Sequence, residues 1–481
     1  MSIKQQTIRG AVWISISSMA RQLTFLFLST VLYRLLVPAD FGTVAMATVL
    51  ITAMGIFQNM GIGAALIHRR DQVELAASTA FYIYPLIGLA LALIGWMAAG
   101  PMADFFRDPV LKPAVRVMAA TFVPTSFCRV FQMMMEKRFE YLRKMWAELA
   151  STAAFTVVAL VLAFRGWGVW SLIWGYVAQE LVLAVLCTAL CSFRPRLTFS
   201  RRIAGELLTY GTHLLGAGAI NFLINQGDRA LISRMLGKAP LGYYSESYKW
   251  GSQPIFQVAM VLTRVTFPAF SELQDKPAEL KDAFMRTYFL FSWLGLPFFV
   301  GVWFLAPELA TVIFGARWDP LVMVPLLRVV ALYGTVRTIQ MPTGSLFQAV
   351  GKPHYLSWLT VARLVILVAA IYPMTRAWGL LGAVWAVTGS FLLIQPPTYR
   401  LAGRVLNCSV FSILRHLRAA LLASAVMAGA LWGLGLLLEI GGGWSLLARL
   451  LTGAGIYFAV LLTVSPASRG QMRDIVGTFF K

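Results

Sequence analysis

Acidic residues are scarce in this chain. Asp and Glu number 20 among 481 residues, against 41 Lys and Arg, and charged residues of both signs make up only 13%. Soluble domains carry roughly 25% charged residues, so this chain has too little polar surface to cover the two or three soluble domains its length would otherwise suggest. Long polar segments are also missing. The longest, Ser271 to Lys281, is too short and too mixed in sign for a nucleic-acid-binding face, so the formal charge of +21 does not imply a nucleic-acid partner. Anionic lipid headgroups account for many of the basic residues.

Cysteine is sparse as well. Cys128, Cys187, Cys191 and Cys408 lie in or beside apolar stretches and read as small hydrophobes. Cys187 and Cys191 share a helix face, but no His or acid accompanies them at metal-ligand spacing, so neither a disulfide framework nor a metal site follows. No GxxxxGK[ST] phosphate loop occurs, and no loop is long enough for a nucleotide-binding domain. ATP hydrolysis and a resident cofactor are therefore not expected. Nor is a cleaved signal: the apolar run Ala11–Leu36 is longer than a signal core and contains Arg21.

What the chain has in abundance is apolar helix-forming sequence: 59% hydrophobic residues and a mean hydropathy of +0.72. A spanning helix needs about 20 such residues. Hydropathy places spans near 10–36, 41–67, 78–103, 114–135, 146–164, 168–191, 207–236, 243–270, 288–306, 321–350, 355–375, 380–401, 419–438 and 446–464, about fourteen in all. The fold class expected is an all-α membrane protein. Loop charge sets its orientation. One side collects Arg69, Arg70, Lys137, Arg138, Arg143, Lys144, Arg194, Arg196, Arg201 and Arg202, with further clusters at 276–286 and 400–418; the other keeps only scattered basic residues such as Arg107, Lys112, Arg116 and Arg317. The bias alternates consistently for an even helix count with both termini cytoplasmic, the arrangement expected in a bacterial inner membrane.

The chain also repeats itself. Tyr33 to Gly42 lines up with Ser233 to Gly242, and Asp108-Pro109 with Asp319-Pro320. Pro113, Arg116 and Val117 match Pro325, Arg328 and Val329, while Phe131-Gln132 matches Phe347-Gln348 and Trp167-Gly168 matches Trp378-Gly379. An even number of spans per half gives both repeats one orientation, related by an axis along the membrane normal, with the substrate path expected between them. The domains expected are a six-helix bundle over 1–196, a second over 197–405, and two further helices with a tail over 406–481.

Charges inside the spans are costly, about 2.5–3.5 kcal/mol for an Arg at mid-helix. Yet Arg21, Arg129, Arg229, Arg264, Arg328, Arg337 and Arg363 lie there, against only Glu148, Glu180, Asp228 and Glu246. Not every Arg finds a counter-charge. Arg129, Arg264 and Arg363 are close enough to span ends to snorkel. Arg21, Arg229, Arg328 and Arg337 point instead to a cationic cavity whose guanidinium forks suit phosphate oxygens. The seventh span adds Asn221, Asn225 and Asp228 on one face, with Gln226 and His213 on the same helix. Asn221 and Asn225 are candidate substrate ligands or interhelical hydrogen-bond glue. Asp228 is a candidate ion-coupling carboxylate, although contact with Arg229 would oppose its protonation. Trp167, Trp170, Trp174, Trp318 and Trp378 fall near span ends and read as a headgroup belt.

Asn225 to Gly237, followed by Leu241-Gly242-Tyr243-Tyr244, resembles the seventh-helix signature of bacterial polysaccharide flippases. Phe131-Gln132 to Tyr141, Gly166 to Leu172, and Val37 to Gly42 are similar too. The resemblance runs over nearly the whole chain and is to the Wzx-type branch, of the colanic-acid kind, in the multidrug/oligosaccharidyl-lipid/polysaccharide exporter superfamily. It implies two six-helix bundles plus two C-terminal helices, and an undecaprenyl-pyrophosphate-linked oligosaccharide moved between leaflets by alternating access on an ion gradient. A polysaccharide polymerase and glycosyltransferases would be the pathway partners. Two other readings stand. A drug exporter of the same superfamily would favour an acidic cavity. A membrane-bound polymerase or ligase would display a long outer loop or paired His and Asp, which the chain lacks.

Arg21→Ala should abolish surface polysaccharide while leaving the protein in the membrane fraction; normal polymer staining would remove Arg21 from the site. Acidic replacement at Asn225 or Arg229 should be worse than neutral replacement, and equal effects would point to packing.

Overall fold

The computed structural model describes residues 24, 27–59, 62–437 and 443–464. Arg21 lies outside the described residues, as do the side chains of His213 and Asn221. Every regular element among the described residues is helical, as a bilayer requires of a chain that must satisfy its backbone internally.

The first compact unit extends to Ser245. It holds α1 (27–35), α2 (Pro38–Asn59), α3 (Ile62–His68), α4 (Val73–Phe106), α5 (Leu111–Ala120), α6 (Phe122–Lys137), α7 (Tyr141–Phe164), α8 (Val169–Leu190) and α9 (Arg201–Leu236). The helix α10 (Lys238–Gly251) runs out of it. The second unit contains α11 (Gln253–Glu272), α12 (Pro277–Leu309), α13 (Pro320–Ala349), α14 (His354–Val405), α15 (Val410–Arg415), α16 (Arg418–Leu437) and α17 (Gly443–Val464). Although α9 opens the second sequence half, it packs on α2, α3 and α4. The contacts therefore divide the chain later than the repeat does.

Among the described residues, ten helices are long and apolar enough to cross a membrane. One of these, α14, is two crossings, because Trp378 and Gly379 leave helical geometry and fold it into two arms. Both α9, at 36 residues, and α11, at 20, have the length to cross as well. With α14 counted twice and these two added, the described helices supply thirteen crossings, and α1 (27–35) is the described part of the first expected span.

The repeat is visible inside each unit. Gly168 adopts φ 53° and ψ −130°, and its match Gly379 adopts φ 59° and ψ −139°. Both are positive-φ conformations open to glycine. Asp108 accepts a hydrogen bond from the Val110 N–H at 3.2 Å, while Asp319 caps α13 from the Leu321 N–H at 2.9 Å. Arg116 of α5 lies over the Trp96 ring of α4 at 4.6 Å, and Arg328 of α13 over the Trp303 ring of α12 at 5.3 Å. In the first unit, Gly42 and Gly242 bring the starts of α2 and α10 together: a Cβ on Gly42 would overlap the Lys238 carbonyl, and one on Gly242 the Pro38 carbonyl. The same corner is tied by buried Asp108, which accepts from Thr43 Oγ1 at 2.8 Å and pairs with Lys238 Nζ at 3.3 Å.

On the basic side, several of the scarce acids are already taken. Glu206 pairs with Arg69 at 2.8 Å and Arg202 at 3.0 Å, and Glu74 with Arg196 at 3.2 Å and Arg138 at 3.4 Å. Hydrogen bonds from Arg69 and then Arg202 hold the Glu206 carboxyl below its ordinary range. Of the tryptophans expected in a headgroup belt, Trp167, Trp174 and Trp378 are well exposed. Trp318 is instead fully buried against Phe314, because the chain turns back into α13 directly after it.

The α16–α17 hairpin is fastened to α12 at two depths. Arg449 of α17 pairs with Glu308 of α12, both almost wholly buried. Further along, Tyr457 donates to the Trp293 carbonyl at 3.0 Å within a cluster that includes Phe289, Met427, Leu431 and Leu461. Removing one member of such a pair leaves a buried charge and costs about 3–5 kcal/mol. Glu308→Ala should therefore lower the thermal-unfolding midpoint in detergent markedly, while Glu308→Leu combined with Arg449→Met should recover most of it. An unchanged midpoint in the single variant would show that the pair does not hold the hairpin.

Candidate functional site

In the first unit, the polar centre at membrane depth is built around Arg129 of α6. Its Nη1 donates to Gln132 Oε1 and its Nη2 to Gln58 Oε1 of α2, both at 3.2 Å. Gln58 is buried and orients itself by donating to Thr125 Oγ1 at 3.0 Å and Ser126 Oγ at 2.9 Å. The amide oxygen is thereby fixed toward the guanidinium. Among the described residues no carboxylate lies within ion-pairing distance of Arg129, and its Nε is buried with no hydrogen-bond partner. Glu180 of α8 feels the Arg129 charge but does not reach it as an ion pair. Arg129 sits roughly two turns before Lys137, where α6 ends. The sequence suggests that it snorkels; its engagement with α2 turns it into the bundle instead of out to headgroups.

Also in the first unit, α9 carries Asn225, Asp228 and Arg229. Arg229 Nη1 donates to Gln226 Oε1 at 3.2 Å and does not pair with its neighbour Asp228. Asp228 accepts from the Tyr244 hydroxyl of α10 and from the Arg229 backbone N–H. Asn225 is exposed. The polar face anticipated on this helix is therefore split. Asp228 is tied toward α10, and Arg229 is held along its own helix.

The second unit holds Arg328 and Arg337, both on α13. Arg328 stacks on Trp303 and donates its Nε to the Trp303 carbonyl at 3.0 Å, which fastens α13 to α12. Arg337 lies deeper. Its guanidinium rests 3.7 Å from the Phe256 ring centroid of α11, and its Nη1 reaches the Tyr333 hydroxyl at 3.4 Å. It pairs with no carboxylate among the described residues. Beside it, Gln395 donates to Gln340 at 3.0 Å and Gln340 to Thr398 at 3.4 Å. Arg264, expected to snorkel, falls midway along α11 (Gln253–Glu272) instead; it is exposed, with no hydrogen bond or ion pair among the described residues. Arg363 rests 3.9 Å from the Phe391 ring centroid.

The acids at depth are differently placed. Glu148 pairs with Lys144 at 3.8 Å, Glu246 with Lys249 at 2.5 Å, and Glu308 with Arg449. Each unit therefore presents at least one guanidinium, oriented by amides or aromatic rings, that forms no ion pair with an acid among the described residues. Such a group can hold an anion through forked, charge-assisted hydrogen bonds. Among the described residues no cluster of His, Cys, Asp and Glu could hold a metal ion. Of the residues singled out from sequence, Asn225 and Arg229 fall in the first unit and Arg328 and Arg337 in the second. Arg129 is the residue that sequence spacing does not single out. The signal that could have found it is Gln58, a buried amide 71 positions away, which no local pattern connects to it.

A profile of the family described as "Polysaccharide biosynthesis protein" matches residues 31–323. The lipopolysaccharide biosynthesis protein WzxC of Escherichia coli (strain K12) is 25% identical over 402 residues, 82% of this chain and 80% of that protein. The teichuronic acid biosynthesis protein TuaB of Bacillus subtilis (strain 168) is 24% identical over 391 residues, 80% of each. A solved structure of the lipid II flippase MurJ, in an inward closed conformation, superposes with a TM-score of 0.75 at 14% identity, over 97% of this chain and 100% of that one. At that identity the likeness speaks to the fold.

Arg129→Gln and Arg337→Gln should each cut surface polymer about tenfold, the effect of losing ~1.4 kcal/mol of binding, with the protein still inserted. Gln58→Glu, which sets a carboxylate against Arg129, should do the same without removing the arginine. Normal polymer from Gln58→Glu would exclude Arg129 from the site.

Proposed function

This chain belongs to the polysaccharide biosynthesis protein family, and from that premise we propose that it flips an undecaprenyl-pyrophosphate-linked oligosaccharide repeat unit from the cytoplasmic to the periplasmic leaflet of a bacterial inner membrane. That it is a multi-pass membrane transporter of polysaccharide biosynthesis follows from the family, its relatives and its apolar spans. One observation carries the finer reading. Arg129, Arg264 and Arg337 stand at membrane depth with no carboxylate among the described residues in ion-pairing reach, while Glu148, Glu246 and Glu308 are engaged with cations.

A lipid diphosphate offers what these side chains lack. Its oxygens accept forked N–H donors, and guanidinium gives up its hydration more readily than ammonium. Amides such as Gln58, Gln132 and Gln340 can donate to sugar hydroxyls or hold the guanidinium in place. The diphosphate would enter from one leaflet and leave to the other by alternating access, with the prenyl chain remaining in lipid. Asp228, hydrogen-bonded to the Tyr244 hydroxyl, is the candidate for coupling movement to an ion gradient, since a carboxylate there can exchange its partner for a proton or cation. Both termini would lie in the cytoplasm, by the loop-charge bias.

The test is translocation in proteoliposomes of the full chain, using polyprenyl-pyrophosphate-linked saccharide labelled on the sugar and a lectin to report its arrival in the far leaflet. Movement should depend on the protein, slow when an ionophore collapses the gradient, and fall about tenfold with Arg337→Gln. Transport of a cationic dye in its place, or chemical turnover of the saccharide, would overturn the reading.

A further inference from the structure

On the side poor in Lys and Arg, α4, α5 and α8 of the first unit enclose a groove of about 540 Å³, lined by Trp96, Arg116, Val117, Trp174, Val177 and Leu181 among others. That volume lies within the range of about 300–1,000 Å³ typical of small-ligand pockets. Its lining is almost wholly apolar, and Trp96 and Trp174 are 55% and 40% exposed, so it opens toward lipid. Arg116 and Trp174 both sit less than two turns inside the starts of α5 and α8, the depth at which headgroup gives way to acyl chain.

The cation in this groove is incompletely satisfied. Arg116 lies over Trp96, its Nε is buried without a hydrogen-bond partner, and it makes no ion pair among the described residues. Its counterpart in the repeat, Arg328, also lies over a tryptophan but donates its Nε to a backbone carbonyl at 3.0 Å. The same position is thus closed by the protein in one unit and left open in the other.

We propose that this groove is a binding site for an anionic phospholipid of the surrounding bilayer, with the phosphate on Arg116 and one acyl chain along Val117, Val177 and Leu181. Charge complementarity selects the phosphate, and the apolar lining facing lipid selects the chain. The groove shares no lining residue with the Arg129 cluster and does not rest on the identity of the cargo.

Lipid retention by the detergent-purified full chain, read by native mass spectrometry, tests it. Phosphatidylglycerol should be retained over diacylglycerol and over phosphatidylcholine. Arg116→Gln should reduce that retention about fivefold, the weight of one basic residue near an anionic surface. Lys112→Gln, which removes a nearby exposed charge, should leave it unchanged. Val177→Phe, which narrows the groove and keeps the charge, should lose the same lipid, so the proposal stays testable if Arg116→Gln fails to fold. Undiminished retention in Arg116→Gln or Val177→Phe would overturn the proposal, as would equal loss in Lys112→Gln. Displacement of phosphatidylglycerol by equimolar polyprenyl phosphate would also overturn it, by assigning the groove to cargo.

Discussion

A guanidinium inside a bilayer needs a partner, and this chain has too few acids to supply one to each. With 20 acidic residues against 41 basic ones, several spent in ion pairs on the basic side, the arginines at depth are held by other means. Gln58 and Gln132 hold Arg129, Phe256 and Tyr333 hold Arg337, and nearer the headgroups Trp96 holds Arg116. Amides and rings orient a cation without neutralising it. The charge is left available to an anion, and the cost of keeping it at depth is offset only when one is bound or when water reaches it.

The buried pair of Glu308 and Arg449 shows the contrasting case. There an arginine at depth does meet a carboxylate, and the result is a fastening between α12 and the C-terminal hairpin. Arg328 is likewise spent on packing, through the Trp303 carbonyl. Burial of a cation is therefore not by itself a sign of a binding site in this fold. What separates the two classes is whether the cation's donors are spent on a carboxylate or a backbone carbonyl, as at Arg449 and Arg328, or are held only by side-chain amides and rings, as at Arg129 and Arg337.

Much of the architecture was legible in the sequence, because a bilayer leaves few ways to build. Spans follow from apolar length, and the repeat follows from short matches whose reasons are local. Gly168 and Gly379 share a backbone conformation that side chains avoid, and Asp108 and Asp319 each satisfy an N–H two residues on. The partners of each arginine were not legible, since they depend on contacts such as Gln58 with Arg129 across 71 positions. Nor was the burial of Trp318, which depends on how the chain turns into α13. Sequence spacing places Asn225, Asp228 and Arg229 together on α9, yet whether Asp228 meets Arg229 or Tyr244 is a matter of rotamer and neighbouring helix.

Unneutralised arginines at depth should face water and draw anions, and thiol reactivity tests this directly. Met260 lies one turn from Arg264 on α11 and is 38% exposed. A cysteine there samples the same surroundings, in a background where Cys408 is replaced by serine and Cys128, Cys187 and Cys191 are buried. Met260→Cys should react faster with an anionic thiol reagent than with a cationic one of equal size, and Arg264→Gln should erase that preference. Failure to react with either, or a preference for the cationic reagent, would contradict the account.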